Sequence, residues 1–165
     1  MSYNVREATT ADGTALLDLW HGFTEHLSEF DTRYQHNESA DERWLVYFEN
    51  QLVDSKYGAV IVAEDKDSGE LVGVLEARVM GNHPIFRLRN HGYIYGHYVT
   101  EAHRGEGVGS DLLNAAQEWF SNSSKDVDFY RVDTIEGDDY AAEFYEEKGF
   151  HPVEHVFEKG TNQGQ

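Results

Sequence analysis

Apolar residues recur along the chain with two periods, and the switches between them lay out the predicted elements. Tyr3 to Ala8 alternates loosely between apolar and polar positions and predicts an opening strand. Leu16, Trp20, Phe23, Leu27 and Phe30 then share one face of a helix, with Thr10 or Asp12 placed to cap it. Asp31 to Glu38 is polar and reads as a loop. Ser39-Ala40-Asp41-Glu42 has the pattern of a capping box, and Trp44, Leu45, Phe48 and Leu52 carry a second helix. Tyr57 to Glu64 and Glu70 to Met80 are β-rich and flank the turn Asp65-Lys66-Asp67-Ser68-Gly69, which predicts a hairpin. The turn superficially resembles a calcium loop, but Glu70 stands where the sixth position requires glycine, so calcium is rejected.

Gly81-Asn82-His83-Pro84 breaks the chain, and His91 to Val99 predicts another strand. A helix follows from Gly107, with Val108, Leu112, Leu113, Ala116, Trp119 and Phe120 on one side. Val127 to Thr134 reads as a strand, Asp138 to Lys148 as a helix closed by Gly149, and Phe150 to Phe157 as a final strand. The tail from Gly160 to Gln165 is expected to fray. The order β-α-α-β-β-β-α-β-α-β implies a mixed α/β (α+β) domain, one domain over residues 1–165.

Composition narrows the function classes. The 13 basic and 31 acidic residues give a formal charge of −18, which repels nucleic acid. No cysteine is present, excluding disulfides, thiolate-bound zinc and a cysteine nucleophile. No apolar run approaches the roughly 18 residues of a membrane span. Met1 to Arg6 lacks the apolar core of a signal peptide, so a soluble cytoplasmic protein is expected. Carboxylates are spread evenly, only 5 of the 13 bases are lysine, and aromatics are plentiful. That coat suits a halophilic cytoplasm, where 1 M salt screens charge within about 3 Å. An ordinary acidic protein is the alternative.

The stretch Thr100-Glu101-Ala102-His103-Arg104-Gly105-Glu106-Gly107-Val108-Gly109-Ser110 runs from a strand into a helix through three alternating glycines. Glycines allow close backbone approach, and the unpaired amides of a helix's first turn attract phosphate. A purely structural connection has the same look. The P-loop pattern fails for want of a lysine, and the dinucleotide fingerprint fails because Leu112 stands where its last glycine belongs. Arg104-x-x-Gly107-x-Gly109 instead resembles the acyl-CoA pyrophosphate loop of the GNAT (Gcn5-related N-acetyltransferase) superfamily. Val99 matches the family's strand-end valine, Ala141 to Phe150 its late helix, and Val5-Arg6-Glu7-Ala8-Thr9 with Asp12 its opening. The resemblance covers nearly the whole chain and implies a splayed central sheet flanked by helices.

It also implies acetyl transfer from acetyl-CoA to a primary amine of a small molecule or peptide, by direct transfer in a ternary complex. His97, Tyr98 and Val99 are the implied contacts to the acyl-CoA backbone. Arg104, Gly105, Glu106, Gly107, Val108 and Gly109 are those to the pyrophosphate, and Tyr145 is the implied general acid for the thiolate. Tyr145 and Asp138 are further implied cofactor contacts, although the family often has asparagine where this chain has Asp138, and Glu106 sets a carboxylate beside the pyrophosphate. No base is evident. Alternation puts His91, Tyr93, Tyr95 and His97 on one strand face. Family members often carry a base or proton relay at Tyr93, and a water chain ending at His91, His97 or Glu76 serves as well. A non-catalytic acyl-CoA-binding module on the same fold, or an interaction protein with a structural glycine loop, remains the alternative. Many relatives are homodimers.

Between Ala77 and Gly105 lie Arg78, Arg87, Arg89 and Arg104 against one acid, Glu101, a local charge of +3 that would favour an anionic cofactor. His83, His91, His97 and His103 fall in the same stretch, but without a metal-ligand spacing, and no metal is expected. In the family the first two helices and the loops around 30–40 and 81–90 set the acceptor, so the resemblance and the acids and aromatics at Glu25, Glu29, Phe30, Asp31, Tyr34 and Glu38 imply a cationic amine.

Overall fold

The computed structural model describes residues 2–81, 85–122 and 127–161. Five strands form one sheet in the order β1-β2-β3-β4-β5: Tyr3–Glu7, Gly58–Asp65, Leu71–Met80, His91–Val99 and Tyr130–Val132. The first four are antiparallel to their neighbours, and β5 lies parallel to β4. Helices α1 (Gly13–Ser28), α2 (Asp41–Tyr47), α3 (Val108–Ser121) and α4 (Asp139–Glu147) complete the framework. Among the described residues, no helix is long and apolar enough to cross a membrane.

Alternation in the central strands decides the layers, because successive side chains leave a sheet on opposite faces. Ile61, Ala63, Leu75, Ala77 and Ile94 pack against Val108, Leu112, Leu113, Ala116 and Phe120 of α3. Val60, Val62 and Val74 face the other way, onto Leu16 and Leu19 of α1 and onto Phe48 and Leu52. Burying each large apolar side chain contributes about 1.5–3 kcal/mol, so two covered faces fix the sheet between α1 and α3.

One irregularity in β4 matters for everything downstream. Glu76 pairs with Gly96 and Ala77 with Ile94, so Tyr95 is an extra residue in the ladder. Before it, a Cβ on Gly92 would meet Phe120 of α3. After it, a Cβ on Gly96 would sit 2.4 Å from Trp20 of α1, and Tyr98 packs beside Gly22. The bulge therefore flips the facing of the strand. His97 turns to the α3 side, away from Tyr93 and Tyr95, and the expected single face holding His91, Tyr93, Tyr95 and His97 does not form.

Other boundaries differ from expectation for local reasons. The second helix stops at Tyr47 and continues as one wider turn over Phe48–Leu52, with the Val53 amide bonded to the Phe48 carbonyl at 3.1 Å. Its N-cap is Ala40 without a side-chain cap, so the box starting at Ser39 is not used. Asp12 accepts from the Thr9 amide at 2.7 Å in the short turn that enters α1. Two Arg6 contacts, at 2.8 and 3.0 Å, hold its carboxyl below the usual carboxylate range. The strand expected at Val127 shortens to Tyr130–Val132. The final strand over Phe150–Phe157 is absent among the described residues: Val156 and Phe157 are 95% and 92% exposed. Pro152 offers no amide to a ladder, and three-residue β5 offers little edge to pair with. Of the expected break at 81–84, residues 82–84 lie outside the described residues, as does the tail beyond Thr161.

Candidate active site

Strands β4 and β5 pair only from Gly92–Tyr130 to Ile94–Val132. Beyond the bulge β4 runs on to Val99 while β5 has ended, and the two edges part. The opening is the mouth of a cavity of ≈ 410 Å³. Tyr95 to Val99 line one wall, Val132 to Ile135 the other; Phe23, His26 and Leu27 of α1, the Arg104–Gly109 loop, and Phe144 and Tyr145 of α4 close it.

The glycine loop is shaped by backbone demands. Gly105 and Gly107 have φ of +82° and +88°, conformations that side-chain-bearing residues rarely adopt. Gly107 is the N-cap of α3, whose first intrahelical bond runs from the Asp111 amide to the Gly107 carbonyl at 3.0 Å. The amides of Val108, Gly109 and Ser110 precede that bond and have no helical partner, so they form a positive, donor-rich rim on the cavity. Tyr3 of β1 steadies the turn, donating to Asp111 at 2.6 Å. Arg104 donates from Nε to the Val99 carbonyl at 2.9 Å, and its guanidinium lies over the Tyr98 ring.

Deeper in, His97, Tyr145 and Gly109 form a chain whose protons can be assigned. The Gly109 carbonyl can only accept, so His97 Nε2 donates to it at 3.0 Å. Burial pushes the His97 imidazole down to about 4, so the ring is neutral and Nδ1 is an acceptor. The Tyr145 hydroxyl therefore donates to Nδ1 at 2.8 Å. Burial first, then the charge of Asp138, raises the Tyr145 phenol above its ordinary value and keeps it protonated.

This geometry carries a pH signature. Between about 6.5 and about 4 the unfolded His97 is protonated while the folded one stays neutral, so the unfolded state binds more protons. Stability is expected to fall as pH is lowered through that window, by up to about 3 kcal/mol from this one group. Denaturant melts at several pH values measure the slope, and His97→Gln should flatten it.

A second pair closes the cavity from α1. Asp138 caps α4, accepting from the Ala141 amide at 3.1 Å, and also contacts His26 Nε2 at 2.9 Å. An ionised carboxylate can only accept, so His26 donates from Nε2. His26 also lines the cavity, and its Nδ1 makes no hydrogen bond among the described residues.

The sequence model described as the acetyltransferase (GNAT) family matches residues 20–150. This chain belongs to that family. No curated protein shows a significant match. Among solved structures, a tetramutant of the BH1408 protein from Bacillus halodurans is 19% identical, with 95% of this chain and 99% of that one covered and a TM-score of 0.76. Aminoglycoside N-acetyltransferase AAC(6')-Iy, in complex with CoA, is 17% identical over 97% and 95%, with a TM-score of 0.71. Aminoglycoside 6'-N-acetyltransferase AAC(6')-Ih from Acinetobacter baumannii is 16% identical over 98% and 99%, with a TM-score of 0.68. The fold of this GNAT chain is the mixed, open five-stranded sheet those structures share.

Most residues singled out from sequence converge on the cavity: His97, Tyr98, Val99, Arg104, Gly105, Gly107, Val108, Gly109, Asp138 and Tyr145 line it, while Glu106 and Tyr93 do not. Tyr93 donates to Asp133 at 2.5 Å, and burial together with that carboxylate raises its phenol further. A phenol so placed is a worse base than a free one. The other candidate bases are engaged elsewhere. His91 is buried, donating from Nδ1 to the Arg89 carbonyl at 2.9 Å and stacked on Phe129. Burial raises the Glu76 carboxyl to about 7, while Arg78 at 2.9 Å acts against that shift by favouring the ionised form. The arginine island also disperses, with Arg78 bound to Glu76 and Arg89 to Asp128; of its four arginines only Arg104 lines the cavity. His83 lies outside the described residues. His26 was missed because its partner is 112 residues away, and no local spacing announces such a pair.

Proposed function

We propose that this GNAT chain is an acetyl-CoA-dependent N-acetyltransferase for a cationic small-molecule amine, working by direct transfer in a ternary complex. The observation that carries the reading is that an amide-rich helix start, a buried phenol and a carboxylate-oriented imidazole all open onto one cavity. The pyrophosphate would rest on the amides from Gly107 to Ser110, and the acyl arm along His97 to Val99 in the splay. The acceptor would enter past α1, where Asp133 and Asp138 favour a cation. Direct transfer needs the amine to lose a proton and the sulfur to be stabilised as it leaves. His26 Nδ1 is the base in this reading, with its tautomer set by Asp138, and the Tyr145 hydroxyl faces the sulfur. Tyr93, with its proton committed to Asp133, would shape the splay rather than exchange protons. Two neighbours named as aminoglycoside N-acetyltransferases support a small amine as acceptor.

Calorimetry with CoA and a thiol-release assay over a panel of amines test this together. Binding with turnover supports the enzyme; binding without turnover on any amine would leave a sensory acyl-CoA module. His26→Ala should lower kcat/KM at least about tenfold and remove the acidic limb of its pH profile, since general base catalysis is typically worth 10²–10⁴-fold. A retained limb would move the base elsewhere.

The acidic surface supports adaptation to salt. At a net charge of −18, self-repulsion opposes compactness and the same field repels a polyanionic cofactor. Melting temperature and CoA affinity are both expected to rise between about 0.1 and 2 M KCl, as the screening length shrinks from ~10 Å toward 2–3 Å. A flat or falling melting temperature would oppose it.

A further inference from the structure

Away from the cavity, α1 meets the entry to α2 through three side chains that the acetyl-transfer chemistry does not use. His21 Nε2 lies 3.3 Å from one oxygen of Asp41, and His36 Nε2 lies 2.8 Å from the other. The two imidazoles are tilted together with centroids 3.7 Å apart. One ligand atom from each of the three residues falls within 4.8 Å of the others, and all three residues are partly buried. We propose that His21, His36 and Asp41 form a binding site for a divalent transition ion of the zinc class.

The donor set selects the ion. Two imidazole nitrogens and one carboxylate oxygen suit zinc, cobalt or nickel, whereas calcium and magnesium take oxygen ligands. The spacing fits as well. With metal–ligand distances near 2.0–2.2 Å, ligands at the corners of a tetrahedron stand about 3.3–3.5 Å apart. One donor atom from each of the three residues already lies within 4.8 Å of the others, so closing onto those corners needs shifts of only about an ångström. Three protein ligands leave the fourth corner to water.

Without metal, each Nε2 serves Asp41 as a hydrogen-bond donor, and the two imidazoles pull that carboxyl below its ordinary value against the opposing effect of burial. Metal binding needs the Nε2 lone pairs, so each ring proton must sit on Nδ1 in the loaded site. The site would act as a clamp. His21 sits mid-way along α1, His36 in the connection that follows it, and Asp41 at the start of α2. That connection, from Glu29 to Ala40, holds only short turns, and its two aromatics, Phe30 and Tyr34, are exposed. Tethering it removes chain entropy and stiffens the wall that carries His26.

The test uses the full chain without an affinity tag, stripped with EDTA and titrated with zinc chloride and, separately, cobalt chloride. One equivalent should bind, with the intense visible bands of tetrahedral cobalt, and zinc should raise the melting temperature. His21→Gln, His36→Gln and Asp41→Asn should each weaken zinc binding by at least about tenfold and abolish the zinc-dependent rise in melting temperature, since even losing an outer-shell partner costs 10–100-fold. His155→Ala, in the exposed C-terminal segment, should bind as the parent does. Circular dichroism on each variant secures the fold, and the glutamine and asparagine changes keep similar shapes. Absence of one-equivalent binding, unchanged affinity in the ligand variants, or equal loss in His155→Ala would each overturn the site. CoA calorimetry on the same stripped protein keeps this outcome separate from that of the acetyltransferase reading.

Discussion

Gly107→Val should raise the CoA dissociation constant at least about 100-fold while leaving most of the fold in place. Two effects add. Gly107 has φ +88°, and a β-branched residue is strained there whatever space surrounds it. Its position as the N-cap of α3 means the strain is relieved by swinging away the amides of Val108 and Gly109, the donors a pyrophosphate needs. Losing two or three charge-assisted hydrogen bonds, each worth about 1.5–3 kcal/mol, more than accounts for a 100-fold change. The surroundings can absorb the side chain, because the nearest atom to a Cβ at this position is the Tyr3 hydroxyl at 3.7 Å. Gly109 makes the internal control. It is helical, and a Cβ there meets only ordinary contacts near 3.7 Å, so Gly109→Ala should bind CoA within a few-fold of the parent. Calorimetry on the three proteins decides the matter. Equal affinity for Gly107→Val and the parent would remove the phosphate site from this loop.

What the sequence made legible is what local pattern encodes. The four long strands and helices α1, α3 and α4 follow from apolar period, and the glycine loop from its spacing, because each signal sits within a dozen residues of chain. Three features escaped for one shared reason, that they are set by tertiary contact. The β4 bulge exists where Trp20, 76 residues earlier, presses onto Gly96, and that glycine is its only local sign, which does not say which residue is extra. The predicted last strand has β-forming residues at Val153, Val156 and Phe157 but no edge long enough to hold it. The His26–Asp138 pair joins two helix ends that only the fold brings together. Asp138, read from the sequence as a cofactor contact, caps α4 and pairs with His26 in the structure, a role that only the fold reveals. The arginine island failed in the opposite direction, since counting charge within a window ignored acids such as Glu76 and Asp128 that lie outside it.

Tyr145→Phe is expected to lower kcat by about 10²-fold or more, and the structure refines how. An ordinary thiol has a pKa near 8.5 and an ordinary phenol near 10, and Tyr145 is raised further by burial and Asp138. Complete transfer of the phenol proton to a leaving thiolate is therefore uphill. The hydroxyl serves better as a hydrogen-bond donor that steadies charge as it develops on sulfur, with the final proton supplied by the one the amine gives up. To do so it must leave His97 Nδ1, its partner at 2.8 Å, and that switch is the cost of keeping the donor ordered before substrate arrives. Phenylalanine preserves the ring packing against Phe144 and Phe150 but deletes the donor. It also strands a buried Nδ1, so stability should fall by about 1–3 kcal/mol. A drop in melting temperature thus accompanies either role, and rates must be taken per folded molecule. Thiol acidity separates the two. If the hydroxyl acts on sulfur, the loss in kcat shrinks for acetyl donors whose thiols are more acidic, because their leaving groups need less help. An equal loss for every donor, or near-normal kcat in folded protein, would leave Tyr145 as the residue that holds His97 neutral and in place.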